Sequence, residues 1–144
     1  MRWIVVICLL ASAPAWAKEI VVAQVAAFTG AQASSGKAIR AGIKLYLDHV
    51  NRNGGIGGER IRLSTYDDGY KAEETVRLVK HILEKEPPIA FIGVLGTANN
   101  EALIKDGVLK RANVPLIGAI SGATTMIGAP NVFVTKASYR DEVR

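Results

Sequence analysis

Apolar and polar positions along this chain change their period again and again. Residues 20–27 (IVVAQVAA) form an apolar run of strand length, the pattern of a parallel strand covered on both faces. A polar, glycine-bounded loop follows over residues 28–36. Ile39, Ile43, Tyr46, Leu47 and Val50 then recur at helical spacing and predict one apolar stripe on a helix from about residue 36 to 52. Asn53-Gly54-Gly55-Ile56-Gly57-Gly58 stops that helix. A second strand is predicted over residues 60–66, with Ile61, Leu63 and Thr65 on one face and Asp67-Asp68-Gly69 as its terminal turn. Ala72, Val76, Val79 and Leu83 carry a second helix to Glu86, where Pro87-Pro88 ends it.

Residues 89–95 (IAFIGVL) are a second continuous apolar run, and they open directly into Gly96-Thr97-Ala98-Asn99-Asn100. A third helix is predicted over roughly residues 98–112, with Leu103, Ile104, Val108 and Leu109 as a broad apolar face. Strands at residues 114–119 and 132–135 flank the loop Ser121-Gly122-Ala123-Thr124-Thr125. Ser138-x-x-Asp141 reads as the N-cap of a further helix, because a serine oxygen accepts the free N–H three residues on. The chain stops three residues later, so the pattern leads us to expect a fragment of a longer protein.

Five strands alternating with helices predict an α/β fold, a doubly wound parallel five-stranded sheet with right-handed crossovers; if its order is 2-1-3-4-5, the reversal falls between the first and third strands. In such sheets the ligand crevice lies at the carboxyl ends of the strands, where the order reverses. The loops on that rim are residues 29–36, Asp67-Asp68, 96–100 and 121–125, which concentrate hydroxyl and amide groups. The opposite rim, residues 51–58, 85–88 and 112–113, is mostly glycine, proline and charge. A small polar ligand needs fixed neutral donors and acceptors. At residues 96–100 the free N–H groups of the following helix supply some of them.

Charge and composition remove several other classes. The formal net charge is +5, but Lys37, Arg40, Lys44, Arg52, Arg60, Arg62, Lys80, Lys105, Lys110 and Arg111 are scattered, and no aromatics interleave them. They read as solvated helix surface, and no nucleic acid is expected as a partner. Gly54-Gly55-Ile56-Gly57-Gly58 follows a helix and enters a strand, the reverse of a phosphate cradle, and reads as a helix stop. Gly93-Val94-Leu95-Gly96-Thr97 has the right polarity but lacks the lysine of a P-loop. Asp67-Asp68 reads as a turn and cap before it reads as a metal or phosphoryl site. His49 and His81 lie on helices without a Ser or Cys partner at a strand end. No catalytic set, no metal site and no cofactor are expected.

Residues 1–17 belong to another category. Met1-Arg2 supplies positive charge, residues 4–11 are a short apolar block, and Ala15-Trp16-Ala17 is an A-x-A pattern before Lys18: a cleaved secretory signal peptide. The block is well short of the ~20 apolar residues of a membrane span. The one cysteine, Cys8, lies inside it, so residues 18–144 carry no thiol, which suits an oxidising compartment.

Taken together, Phe28-Thr29-Gly30, the run from Asp48-His49-Val50-Asn51-Arg52 through Gly58, Tyr66-Asp67-Asp68, Ile92-Gly93 with Gly96-Thr97, Val114-Pro115 and Ser121-Gly122-Ala123-Thr124 carry a resemblance. The order and spacing resemble the amino-terminal half of an ABC-transporter periplasmic solute-binding protein of the leucine/isoleucine/valine-binding type, over residues 19–144. The resemblance implies the first lobe of a two-lobed type I binding protein. Such a protein closes around an amino acid or similar small polar solute and delivers it to ABC permease subunits of the inner membrane. It implies that Ser35 lies by the ligand's side chain, where relatives place a large aromatic. The ligand carboxylate would be held at Thr97 and near Thr124, and the ammonium by the carbonyl of Gly122 and the hydroxyl of Thr124. Leu95, Gly96 and Ala123 complete the implied ligand-binding set. A ligand-sensing domain of a membrane receptor shares the fold and is the alternative.

Export is expected to remove residues 1–17. Mass spectrometry of periplasmic material should find Lys18 as the first residue, and a mature chain still beginning at Met1 would sink the reading.

Overall fold

The computed structural model describes residues 19–143, so the expected signal peptide lies outside the described residues. The first apolar run forms β1 (Glu19–Ala26), which pairs in parallel with β2 (Arg60–Asp67) along its whole length and with β3 (Ala90–Ile92) on its other side. β3 pairs with β4 (Leu116–Ile117) and β4 with β5 (Val132–Phe133), giving an all-parallel sheet of order β2-β1-β3-β4-β5, as the alternation predicts. Between the strands run α1 (Ala33–Arg52), α2 (Ala72–Lys85), α3 (Thr97–Asp106), α4 (Val108–Ala112) and a 3-10 turn (Thr124–Met126); α5 (Tyr139–Glu142) follows β5.

Parallel register places Ala23, Phe91, Leu116 and Val132 in one row across the sheet. That face packs on α2, α3 and α4, where Leu78, Val79, Ile82, Leu103, Val108 and Leu109 join the row in one buried cluster. Each large apolar side chain fully withdrawn from water contributes about 1.5–3 kcal/mol before entropy is counted, so this face is the main source of stability. Gln24 alternates to the other face, beneath α1. A Cβ on Gly93 would sit 3.0 Å from Ile43, 3.2 Å from Ile39 and 3.7 Å from the Gln24 amide, which shows how closely α1 lies on the sheet there. Gln24 is fully buried, yet neither end of its amide has a protein partner. Further along the same face Ile117 and Phe133 remain 41% and 58% exposed, so α1's side is covered at β1 and open at β4 and β5.

Several expected elements are shorter or broken. The helix expected over residues 98–112 divides at Gly107, which adopts φ 74° as a left-handed cap, a conformation that costs glycine no Cβ clash. The third, fourth and fifth strands keep only two or three ladder residues, since β3 and β4 kink at Gly93 and Gly118. α1 begins at Ala33 rather than residue 36, and Tyr46, at the margin of its stripe, is 68% exposed. Its ring lies against His49 in solvent, at 6.4 Å between centroids. The glycine run ending α1 forms a tight turn closed by Ile56 N–H to Glu59 O at 2.9 Å and Glu59 N–H to Ile56 O at 3.0 Å, which agrees with its reading as a helix stop.

Two glycines on α1 make opposite predictions. A Cβ on Gly36 would stand 1.8 Å from the carbonyl oxygen of Ala27, whereas one on Gly42 meets nothing within 4 Å. Gly36→Ala is therefore expected to lower stability by about 3 kcal/mol, since a backbone carbonyl cannot rotate aside. Gly42→Ala should raise stability by about 0.5–1 kcal/mol through helix propensity. Urea unfolding midpoints of the two variants test both signs.

Candidate ligand-binding site

Parallel strands end on one rim, and here two of them stay joined beyond their regular ladders. Ile120 N–H donates to Val94 O at 2.9 Å and Gly96 N–H to Ile120 O at 3.2 Å, while Leu95 bridges Ile120. The turn after β3 and the loop after β4 therefore lie side by side, and the hydroxyls of Thr97 and Ser121 meet at 2.9 Å. Ser121 also accepts from the Ala123 N–H at 3.1 Å. Gly96 is the cap residue of α3 and Thr97 the first helical one. Gly96 takes φ 105° and ψ 139°, backbone space closed to L side chains, and a Cβ there would meet Tyr70 and Asn99 at 2.7 Å. With the cap position held by glycine, the Thr97 hydroxyl is free to reach the β4 loop.

A buried polar layer supports the rim. Asn100 donates to the carbonyls of Val94 (3.0 Å) and Gly96 (2.7 Å). Asn99 donates to Thr75 (2.8 Å) and Asp68 (3.2 Å), Thr75 donates to Asp68 at 2.7 Å, and the Tyr70 N–H donates to the other Asp68 oxygen at 2.9 Å. Asp67 gathers the first loop, accepting from Phe28 N–H (2.8 Å), Thr29 N–H (3.3 Å), the Thr29 hydroxyl (2.7 Å) and Gly69 N–H (3.0 Å). The Thr29 hydroxyl above all, then the Phe28 N–H, holds the Asp67 carboxyl down at about 2, against an ordinary 3.8. Both carboxylates are thus spent on loop and helix donors, the turn role expected of them.

The candidates divide by position. Leu95, Gly96, Thr97, Gly122 and Ala123 meet at the β3–β4 rim. Ser35 stands in the first turn of α1, half-buried, with its hydroxyl donated to Gln32 at 3.2 Å. Thr124 is exposed at the start of the 3-10 turn. Two further side chains belong with the rim. Ser121 was only one hydroxyl of a polar loop in the sequence, and Tyr139 followed an expected N-cap. The Ser138–Asp141 capping box forms as expected, and it sets Tyr139 so that its N–H donates to Gly122 O at 2.8 Å. The Tyr139 ring lies close against Gly122: a Cβ there would be 2.5 Å from the ring. The Thr97 side chain first, then the Gly122 N–H and the Ser121 side chain, hold its phenol below the ordinary tyrosine range.

A hollow of about 550 Å³ lies away from the rim between α1 and β2. Part of its charged lining is paired, with Lys44 on Asp48 at 2.7 Å and Arg62 on Glu19 at 2.8 Å. A hollow of about 390 Å³ adjoins the rim, bordered by Ser121, Gly122, Phe133, Lys136 and Asp141.

An open parallel sheet with a polar rim at the carboxyl ends of its central strands defines an α/β ligand-binding lobe. The sequence profile of the periplasmic binding protein family matches residues 19–144, and the chain belongs to that family. Among solved structures it is similar to a substrate-binding periplasmic protein from Ralstonia solanacearum, with 48% identity, 85% of this chain and 35% of that one covered, and a TM-score of 0.82. An extracellular ligand-binding receptor from Verminephrobacter eiseniae matches at 29% identity over 88% of this chain and 36% of its own, with a TM-score of 0.82. A Pseudomonas aeruginosa amino acid binding protein is 29% identical over 75 residues, 52% of this chain and 20% of its own. The chain thus spans about a third of the length of these solved structures and a fifth of that curated relative.

Because Asp67 is depressed in the folded state, its contribution is present above the unfolded value near 3.8 and is lost as pH falls toward about 2. Melting temperatures from pH 5 to pH 2 should therefore fall less steeply in Asp67→Asn than in the native protein. Parallel profiles would remove Asp67 as the tie of the first loop.

Proposed function

We propose that this chain is the ligand-capturing lobe of a periplasmic solute-binding component, which takes an amino acid or similar small polar solute and hands it to ABC permease subunits of the inner membrane. The observation that carries this reading is the meeting of the Thr97 and Ser121 hydroxyls beside the Ala123 N–H at the β3–β4 rim of a chain in the periplasmic binding protein family. Hydroxyl and N–H donors fixed on strand ends suit a carboxylate, and charge-assisted bonds to it are stronger than neutral ones. The amino acid binding description of the Pseudomonas aeruginosa relative supports the same ligand class. The role is capture and release, without catalysis, in a periplasmic protein exported by residues 1–17. Among the described residues no helix is long and apolar enough to cross a membrane.

The second reading, an extracytoplasmic sensing domain of a membrane receptor, is favoured by the description of the Verminephrobacter eiseniae structure as a ligand-binding receptor. The coding sequence downstream of Arg144 separates the two: a second lobe and then a stop favours transport, a membrane helix favours a receptor.

Calorimetric titration of the full-length protein against the twenty standard amino acids tests the ligand class. Thr97→Ala and Thr124→Ala should each weaken binding by about tenfold to a hundredfold, corresponding to roughly 1.5–3 kcal/mol for a bond to a charged group, while Thr97→Ser retains it. If Thr97 only braces Ser121, Thr97→Ala lowers the melting temperature and leaves affinity unchanged. Unchanged affinity in both alanine variants would remove these residues from the site.

A further inference from the structure

We propose that the groove between α1 and the edge strand β2 receives an acidic, extended segment of a partner protein, which adds to β2 as a further strand. β2 has β1 as its neighbour on one side only. In a parallel ladder alternate residues bond the neighbouring strand, and the residues between them turn their N–H and C=O groups the other way. Asp68 N–H donates to Ala26 O at 3.2 Å on the β1 side, so Arg60, Arg62, Ser64 and Tyr66 share that direction. Ile61, Leu63 and Thr65 therefore present their backbone groups outward. Asn51 of α1 takes the first of them: its side-chain amide donates to Ile61 O and accepts from Ile61 N–H, each at 2.8 Å. An added strand makes the same pair of bonds. Leu63 and Thr65 have no such partner among the described residues, and Thr65 is exposed.

The hollow of about 550 Å³ beside them leaves room for a peptide, with half-buried Leu47 and Leu63 in its lining. Its charge selects the partner. Arg40, Lys44, Arg60 and Arg62 line it against Glu19 and Asp48. Lys44 pairs with Asp48, and Arg62 with Glu19 and Glu86, which leaves Arg40 and Arg60 without an ion pair among the described residues. A second copy of this chain would bring the same basic edge against itself, and charge on an edge strand guards against such self-pairing. A segment carrying Glu or Asp meets complementary charge instead, while its backbone bonds the free groups of Leu63 and Thr65. The groove lies away from the β3–β4 rim, so strand addition and ligand capture do not compete for the same groups.

The test is fluorescence anisotropy of the full-length protein with a labelled peptide of alternating glutamate and valine, about eight residues long. It should bind saturably, and its counterpart with lysine in place of glutamate should not. Methylating alternate backbone nitrogens of the peptide removes its donors and should weaken binding at least about tenfold. Reversing charge with Arg40→Glu and Arg60→Glu together should also weaken it at least about tenfold. Thr65→Pro deletes one outward N–H and spares the bonds to β1, since an edge strand accommodates proline where the N–H faces solvent. It should weaken binding about two- to tenfold at an unchanged melting temperature. If that variant melts early, the methylated peptide carries the same test on the native protein. A glutamate peptide that does not saturate overturns the proposal, as does equal binding by the charge-reversed variant. Binding that survives backbone methylation overturns strand addition. A dimer in sedimentation that Thr65→Pro returns to monomer overturns the acidic partner in favour of a second copy.

Discussion

The hydrogen bond from the Gly96 N–H to the Ile120 carbonyl is the constraint on which the rim depends. Regular pairing of β3 with β4 ends at Ile92 and Ile117, where both strands kink, but the chains stay joined through Gly93 to Ile117 (3.0 Å), Ile120 to Val94 (2.9 Å) and finally Gly96 to Ile120. Residues 97 and 121 are thereby set opposite each other. This arrangement brings two small hydroxyl side chains to 2.9 Å and leaves the Ala123 N–H beside them. The geometry is decided by backbone bonds, so it is rigid before any ligand arrives, and pre-organisation of this kind lowers the entropy cost of binding.

Beneath that rung lies a polar layer whose members are nearly all satisfied. Asp68, Thr75 and Asn99 are buried and bond one another, and Asn100 spends its amide nitrogen on two carbonyls at the end of β3. Leaving any of these groups unpaired would cost about 1–3 kcal/mol, so the layer holds the start of α3 and the end of β2 in one position. Above it stand Thr124, Ile127 and the Tyr139 ring, all exposed. A fixed floor beneath an exposed rim suits reversible capture of a small solute.

The two faces of the sheet are not equivalent. One is closed by α2, α3 and α4 over a continuous apolar cluster. The other holds α1 over an amide without partners, Gln24, and then an open row at Ile117 and Phe133. Doubly wound sheets are covered on both faces, and apolar rows left open to water favour association with other surfaces. The family members matched here are roughly two and a half times as long as this chain and hold further elements that could cover such a row.

The strand order, the helices and the polar rim were legible because they rest on local signals: apolar runs, helical spacing, and glycine or proline at the stops. Ser138-x-x-Asp141 was legible for the same reason, since a capping box is closed within four residues. The strand lengths, the break at Gly107 and the exposure of Tyr46 were not, because each depends on which backbone lies against the segment in three dimensions. The same limit hid the chemistry of the rim. Thr97 entered only through the resemblance, as a holder of the ligand carboxylate, and only the neighbouring β4 loop shows that its hydroxyl is turned to Ser121. Tyr139 carried no signal at all. Its place over Gly122 is set by a contact across 17 residues of chain, made possible by a missing side chain, and by the pairing of β4 with β5 that returns it to the rim. Local periodicity determined the elements and their order; which side chains share an oxygen was decided only when distant backbones were brought into register.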